Sequence, residues 1–320
     1  MRVLLTGGSG FVGQAILKRL GLDTDVQVVA ALRKQLSSLP DGVQAHLFDD
    51  LASPMAWPVE DPAFDVVIHC ASRVHVMNEV AADPLAEFRK VNVSATLAFA
   101  RRAADAGVKR FVFISSIKVN GEGTARGRPY TADDVPAPID PYGVSKQEAE
   151  TQLKALGAET GMEIVVIRPV LVYGPGVKAN FRNMMVWLDK RIPLPFGAIE
   201  NKRSLVAVEN LVDLIVLCCS HPAAANQTFL VSDDEDVSTT QLLRKMAQAL
   251  GKPALLVPIP ASWLSWVARA LGKASLSQRL CGSLQVDITK TKSLLNWVPP
   301  VTLENALKVT AQNYLESKSR

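Results

Sequence analysis

The stretch LLTGGSGFVGQAIL, residues 4–17, runs from an apolar segment into glycines at positions 7, 10 and 13 and then into helix formers. A strand that turns sharply into a helix needs glycine at the turn, because glycine takes left-handed backbone angles and lets chains approach closely. The N–H groups at the start of such a helix, with the positive end of its dipole, suit a phosphate. The spacing therefore predicts a dinucleotide whose pyrophosphate rests on Gly7, Gly10, Phe11, Val12 and Gly13.

Outward from this turn, short apolar runs alternate with helical patterns. Strands are expected at 2–6, 26–32, 45–48, 65–70, 110–115 and 163–168, and helices at 10–20, 84–106 and 141–160. This rhythm predicts an α/β fold, a Rossmann-like doubly wound parallel sheet with helices on both faces. After Pro169, prolines and glycines cluster in RPVLVYGPG and RIPLPFGAIE, which marks a crossing into a smaller C-terminal substrate-binding lobe. The expected division is a dinucleotide-binding domain at 1–170, to which 204–231 returns, and a second lobe made of 171–203 and 232–320.

Composition narrows the class. Apolar residues at 48% and charged residues at 21% describe an ordinary soluble protein, and a net charge of +4 from 35 basic and 31 acidic side chains is too weak for a nucleic-acid surface. RVLLTGG after Met1 is too short and too soon broken by glycine for a signal peptide or span, so a cytoplasmic location without stable membrane association is expected. Cys70, Cys218, Cys219 and Cys281 show neither disulfide-framework density nor metal-binding spacing. ALLVPIPASWLSWVARALG, from Ala254, reads as a strand and an amphipathic helix whose Trp263 and Trp266 are expected on a core face, with membrane contact the lesser alternative.

The chemistry is concentrated in DPYGVSKQEAE, residues 140–150. Asp140 is suited to cap a helix, Pro141 to its first position, and Tyr142 and Lys146 then share one helical face. A free phenol titrates near about 10, and a neighbouring ammonium is expected to lower that value toward working pH.

The glycine spacing and the Y-x-x-x-K pattern resemble the short-chain dehydrogenase/reductase superfamily in its extended, nucleotide-sugar branch, the NAD-dependent epimerase/dehydratase family. The resemblance covers the whole chain, with its most specific motifs in the first half. It implies that Tyr142 exchanges a proton, that Lys146 tunes it and binds the nicotinamide ribose, and that Ser116, in FVFISSIKVNG, donates to the sugar oxygen. Tyr142 follows Ser116 by 26 residues, a spacing that fits the family. The family pattern also places Asp50 of FDDL on the adenine amine, with Asp49 as the off-by-one alternative, and Leu51, Ala71, Asn92 and Ser115 around the cofactor. At the end of the second strand Arg33 and Lys34 stand where an acid would grip the ribose hydroxyls, which favours NADP(H) over NAD(H).

Departures from the relatives shape the expected reaction. The Asp-Glu pair of 4,6-dehydratases is replaced by Ile117 and Lys118, so elimination of water is not expected. SSIKVNGEG and SRVHVMNE resemble the branch that reduces C4 of a UDP-4-keto-6-deoxy-N-acetylhexosamine for bacterial surface polysaccharides such as lipopolysaccharide O-antigen. A UDP-hexose or UDP-N-acetylhexosamine 4-epimerase with tightly held NAD is the alternative, and a non-catalytic dinucleotide sensor the reading from another class. For the UDP-sugar substrate, His75, Lys118, Asn180, Arg203 and Arg279 are the candidate contacts; Leu171 stands where many relatives carry an asparagine. Relatives often pair through the helices at 84–106 and 141–160, so a homodimer is expected by resemblance.

Overall fold

The structure is a computed structural model that describes residues 1–53, 57–58, 64–74, 83–125, 127–270, 278 and 280–319. The first turn behaves as its glycines require: β1 (Arg2–Thr6) leads through Gly7 into α1 (Phe11–Leu20), which returns to β2 (Gln27–Leu32) and β3 (Val43–Leu47). β4 (Val66–His69) is followed by α2 (Pro84–Arg89), a π-helical turn (Lys90–Ala95) and α3 (Thr96–Asp105). β5 (Arg110–Ile114), α4 (Pro141–Thr160) and β6 (Glu163–Pro169) complete the expected series. The helix expected at 84–106 is thus interrupted by a wider turn, which a hydrophobic pattern does not register.

Beyond Pro169 come β7 (Leu171–Tyr173), α5 (Ala179–Asp189), β8 (Arg203–Ala207), α6 (Val208–Ser220), β9 (Thr228–Val231), β10 (Asp236–Val237) and α7 (Thr239–Ala249). α8 (Ala261–Ala270), α9 (Thr289–Leu295) and α10 (Leu303–Ser319) follow.

Seven parallel strands lie in the order β3-β2-β1-β4-β5-β6-β9. The chain reverses its direction of travel at β1, so the carboxyl ends of β1 and β4 part and leave a crevice there. Alternate residues feed opposite layers: Val3 and Leu5 pack with Leu17 of α1 and Leu211 of α6, while Leu4 packs with Phe99 of α3 and Leu153 of α4. A smaller sheet, β10-β8-β7, anchors the second lobe, where Phe181, Met185, Leu243 and Leu307 share a core. The segment 204–231 is therefore divided. β8 pairs in the small sheet because its neighbours are β7 and β10, whereas β9 joins the large sheet beside β6. The Tyr173 hydroxyl donates to Asp233 Oδ2 (2.8 Å), and Asp233 Oδ1 accepts from Ala207 N and Asn210 Nδ2 (both 2.7 Å), tying the two sheets together.

Trp263 and Trp266 depart from expectation: they are 69% and 73% exposed on α8 rather than facing a core. Their helical spacing places them on one face, but no described element covers that face.

Under the crevice, His69 is fully buried between Thr6 Oγ1 (2.9 Å) and Thr96 Oγ1 (3.1 Å), and burial, with the Lys146 charge adding to it, pulls its imidazole down to about 3. The folded chain therefore refuses a proton that the unfolded chain accepts below about 6.5, so stability is present above that pH and is lost as pH falls toward 3. Thermal melts are expected to decline from pH 6.5 toward 4, and His69→Gln should make that decline shallower; an unchanged slope would remove this histidine from the account.

Candidate active site

Gly7 has φ +75°, and a Cβ there would lie 2.6 Å from Ala71 N. At Gly13 a Cβ would lie 2.2 Å from the Gly7 carbonyl oxygen. Both positions are closed to any side chain, and Gly10 N donates to Gly7 O (3.0 Å), holding the turn. The result is a bare backbone cradle at the first turn of α1, where Phe11 and Val12 lie among the helix's unpartnered N–H groups; it fits a dinucleotide's pyrophosphate. Ala71 enters the crevice from the end of β4, its N–H donating to Thr6 Oγ1 (3.3 Å). Arg33 is exposed immediately after β2. Asp50 is exposed after β3 with Oδ1 accepting from Ala52 N (2.9 Å), and Leu51 is buried beside it.

At the end of β5, Ser116 is extended and caps the 3-10 turn Ile117–Val119, its Oγ accepting from Lys118 N (3.2 Å). α4 starts on Asp140, whose Oδ1 accepts from Gly143 N (2.7 Å), with Pro141 in the first turn. These two starts bring Ser116 and Tyr142 together: the Ser116 and Ser72 hydroxyls both hydrogen-bond the phenol. Burial pushes the phenol up to about 12, the two hydroxyls oppose that rise, and the Asp140 carboxylate adds to it.

Lys146 corrects an expectation. Its ammonium donates to the Ile114 carbonyl (2.7 Å) and lies 4.2 Å from the centre of the Phe113 ring, beneath β5, and the phenol is raised rather than lowered. Burial brings the lysine itself down to about 8, against the opposing charge of Glu150.

Ser72 escaped the sequence reading. It follows Ala71 in HCAS, where a hydroxyl at the mouth of a parallel sheet was the available signal. Asn92, on the π-helical turn, orients it: Asn92 Oδ1 accepts from Ser72 Oγ (3.1 Å) and Arg73 N (2.8 Å), while Nδ2 donates to Arg73 O and Ser145 Oγ (both 3.0 Å). Asn92 thus ties the β4 loop to α4.

Ser115 is turned away from the crevice. Its hydroxyl donates to Glu150 Oε1 (2.5 Å), and Glu150 is clasped by Arg168 through Nε (2.9 Å) and Nη2 (2.5 Å). Arg168 also donates to Asn120 Oδ1 (3.0 Å). This buried cluster joins α4, β6 and the segment after β5. It was visible in outline: Glu150 lies on the Tyr142 and Lys146 face of α4, and Arg168 interrupts an apolar strand.

Lys118 bridges Glu122 and Asp140 Oδ2, the latter at 3.1 Å, so its charge braces the start of α4. Lys118→Met is expected to cost about 1 kcal/mol of stability, as partly exposed pairs do. The KM for a sugar nucleotide should stay within about twofold; a large rise in KM would restore Lys118 as a substrate contact.

In the second lobe, Arg203 opens β8, donates to Gly282 O (3.1 Å), and is lowered by burial alone. A guanidinium desolvated in this way is suited to an anion. Asn180 is exposed in the first turn of α5, and Leu171 is 46% exposed on β7. A cavity of about 390 Å³ opens beside Gly282, lined also by Asn120, Glu122, Tyr130 and Ile139, within the size range of small-molecule sites. His75 and Arg279 lie outside the described residues.

A glycine cradle at the switch point of a parallel sheet, with a serine and a tyrosine at the ends of β5 and α4, defines a nicotinamide-dinucleotide enzyme of the extended short-chain dehydrogenase/reductase class. The chain belongs to the NAD dependent epimerase/dehydratase family, whose model matches residues 3–232. It is 50% identical to a UDP-glucose 4-epimerase of Vibrio cholerae over 99% of this chain and 97% of that one. It is 27% identical to an N-acetyl-alpha-D-glucosaminyl-diphospho-ditrans,octacis-undecaprenol 4-epimerase of Escherichia coli O157:H7, over 97% of this chain and 94% of the other. The crystal structure of a UDP-glucose 4-epimerase with UDP-glucose from Thermotoga maritima superposes with a TM-score of 0.77 at 22% identity, covering all of both chains.

Proposed function

We propose that the chain reduces the C4 ketone of a UDP-4-keto-6-deoxy-N-acetylhexosamine, with the Tyr142 phenol as proton donor. The observation that carries this reading is the state of that phenol: half-buried, held up to about 12, and hydrogen-bonded by Ser72 and Ser116. A hydroxyl that keeps its proton at neutral pH is equipped to give it to an alkoxide as one forms. The cradle of Gly7, Gly10 and Gly13 would hold a reduced dinucleotide, which when bound would supply the hydride for C4. Tyr142 then gives its proton to the C4 oxygen, and solvent returns a proton to the phenolate left behind. Ser116 is placed to donate to the same sugar oxygen while charge develops there. Arg203 and Asn180 are assigned to the diphosphate. Arg33, exposed after β2, supports NADPH as the reductant, by pairing with a 2′-phosphate.

A second reading has its own support. The Vibrio cholerae relative at 50% identity is a UDP-glucose 4-epimerase, and the same tyrosine acting first as base and then as acid would interconvert a UDP-hexose and its C4 epimer. Incubation with the keto-sugar nucleotide and NADPH or NADH separates the two. Stoichiometric loss of absorbance at 340 nm supports the reductase. Interconversion of UDP-hexoses with no net dinucleotide consumption identifies the epimerase, and turnover of neither identifies a sensor.

A further inference from the structure

We infer that the second lobe docks on the surface of an anionic phospholipid bilayer through α8 and the edge beside it. Trp263 and Trp266, three residues apart, present two indoles on one helical face at 69% and 73% exposure. The apolar surface continues along the chain. Leu255 and Val257, 44% and 45% exposed, lie on the segment that enters α8. That segment is hydrogen-bonded to its neighbour through Leu194 N to Leu255 O (2.9 Å) and Val257 N to Leu194 O (2.8 Å). The neighbour begins at Ile192, 41% exposed, whose N–H donates to the carbonyl of the exposed Trp187 (3.0 Å). Aromatic and aliphatic surface gathered in this way marks a contact face rather than chance exposure.

Charge selects the occupant. From residue 237 to residue 286 the sequence has no aspartate or glutamate and six lysines and arginines. Arg269 on α8, and Lys190 and Arg191 beside Ile192, are exposed. The nearby Asp189 carboxylate is already taken by Lys318 (2.7 Å) and Tyr314 (3.2 Å). A second copy of the chain meeting this face through itself would oppose cation to cation. Acidic headgroups neutralise those charges, and an indole, apolar in body with a polar N–H, settles at headgroup depth. No described helix is long and apolar enough to cross a membrane, so the contact is peripheral and reversible. This replaces the expected core role of the two tryptophans with the lesser alternative, membrane contact, and as a reversible contact it accords with the expected lack of stable membrane association. It does not depend on which C4 reaction the site performs.

The full chain, saturated with dinucleotide, can be floated on a sucrose gradient with vesicles of phosphatidylethanolamine and phosphatidylglycerol, or of phosphatidylcholine alone. It is expected to rise with the anionic vesicles, to be released by high salt, and to stay down with the neutral ones. The double variant Trp263→Ala, Trp266→Ala should bind the anionic vesicles roughly tenfold more weakly, with melting temperature and dinucleotide affinity unchanged. Equal flotation of variant and native chain, or equal flotation on neutral vesicles, overturns the inference. So does a native chain that stays at the bottom of both gradients; a dimer dissociated by the same substitutions would then assign the face to a second copy.

Discussion

Tyr142→Phe is expected to lower turnover roughly a thousandfold, the scale of removing a positioned proton donor. Phenylalanine keeps the ring, and with it the edge contact to Phe88, whose centroid lies 6.0 Å away, so packing at the start of α4 should persist. The glycine cradle is built from β1 and α1, so dinucleotide affinity should change little. Loss of turnover with retained dinucleotide binding is therefore the result that supports the proposed role. Turnover within about tenfold of the native rate would transfer the proton to another group. The pH profile gives a second check. With the phenol held up to about 12, the tyrosine proton is retained across the working range, so the reductive rate is expected to stay flat between about pH 7 and pH 10; a basic limb in that window would assign the proton to another group.

Arg168→Met is expected to be the most destabilising single change away from the reacting groups. Arg168 and Glu150 are each 3% exposed. Removing the arginine leaves a buried carboxylate whose remaining charge-stabilising contact in the cluster is the Ser115 hydroxyl, a loss of about 3–5 kcal/mol. For a chain of this size that lowers the melting temperature by roughly 10 °C. Adding Glu150→Gln to the same chain removes the stranded charge and should recover part of the loss. A single variant that melts with the native chain would show the pair to be dispensable; a double variant less stable than the single would show that the carboxylate has value without its arginine. Because the cluster sits behind Ser115, next to Ser116, the single variant should also lower turnover at temperatures where it is still folded.

Much of this arrangement was legible along the chain. β1 and α4 begin and end where the residue pattern places them, because an apolar run stopped by glycine and a helix opened by Asp140 and Pro141 are encoded within a few neighbouring residues. The pairing of Ser116 with Tyr142 was also accessible, through the resemblance to a known family. The small sheet was harder to see. β7 and β10 have three and two residues, too short to show a period, and they exist because β8 lies between them. The direction of the Ser115 side chain was hidden for a related reason: adjacent residues at a strand end face opposite ways, and only the position of Glu150 shows which serine side chain turns inward.

The amino-acid order alone established a parallel sheet and a bare glycine turn suited to a pyrophosphate, since each follows from local turn chemistry and short-range periodicity. Folding had to supply the ionisation of the candidate reacting groups. Tyr142 keeps its proton because segments carrying Ser72, Ser116 and Phe88 close around it, and Lys146 is drawn to the Ile114 carbonyl instead of the phenol. Desolvation and choice of partner depend on groups far apart in the chain, and so does the outward turn of Trp263 and Trp266: the helical period defines their common face, but only the packed lobes determine whether anything covers it.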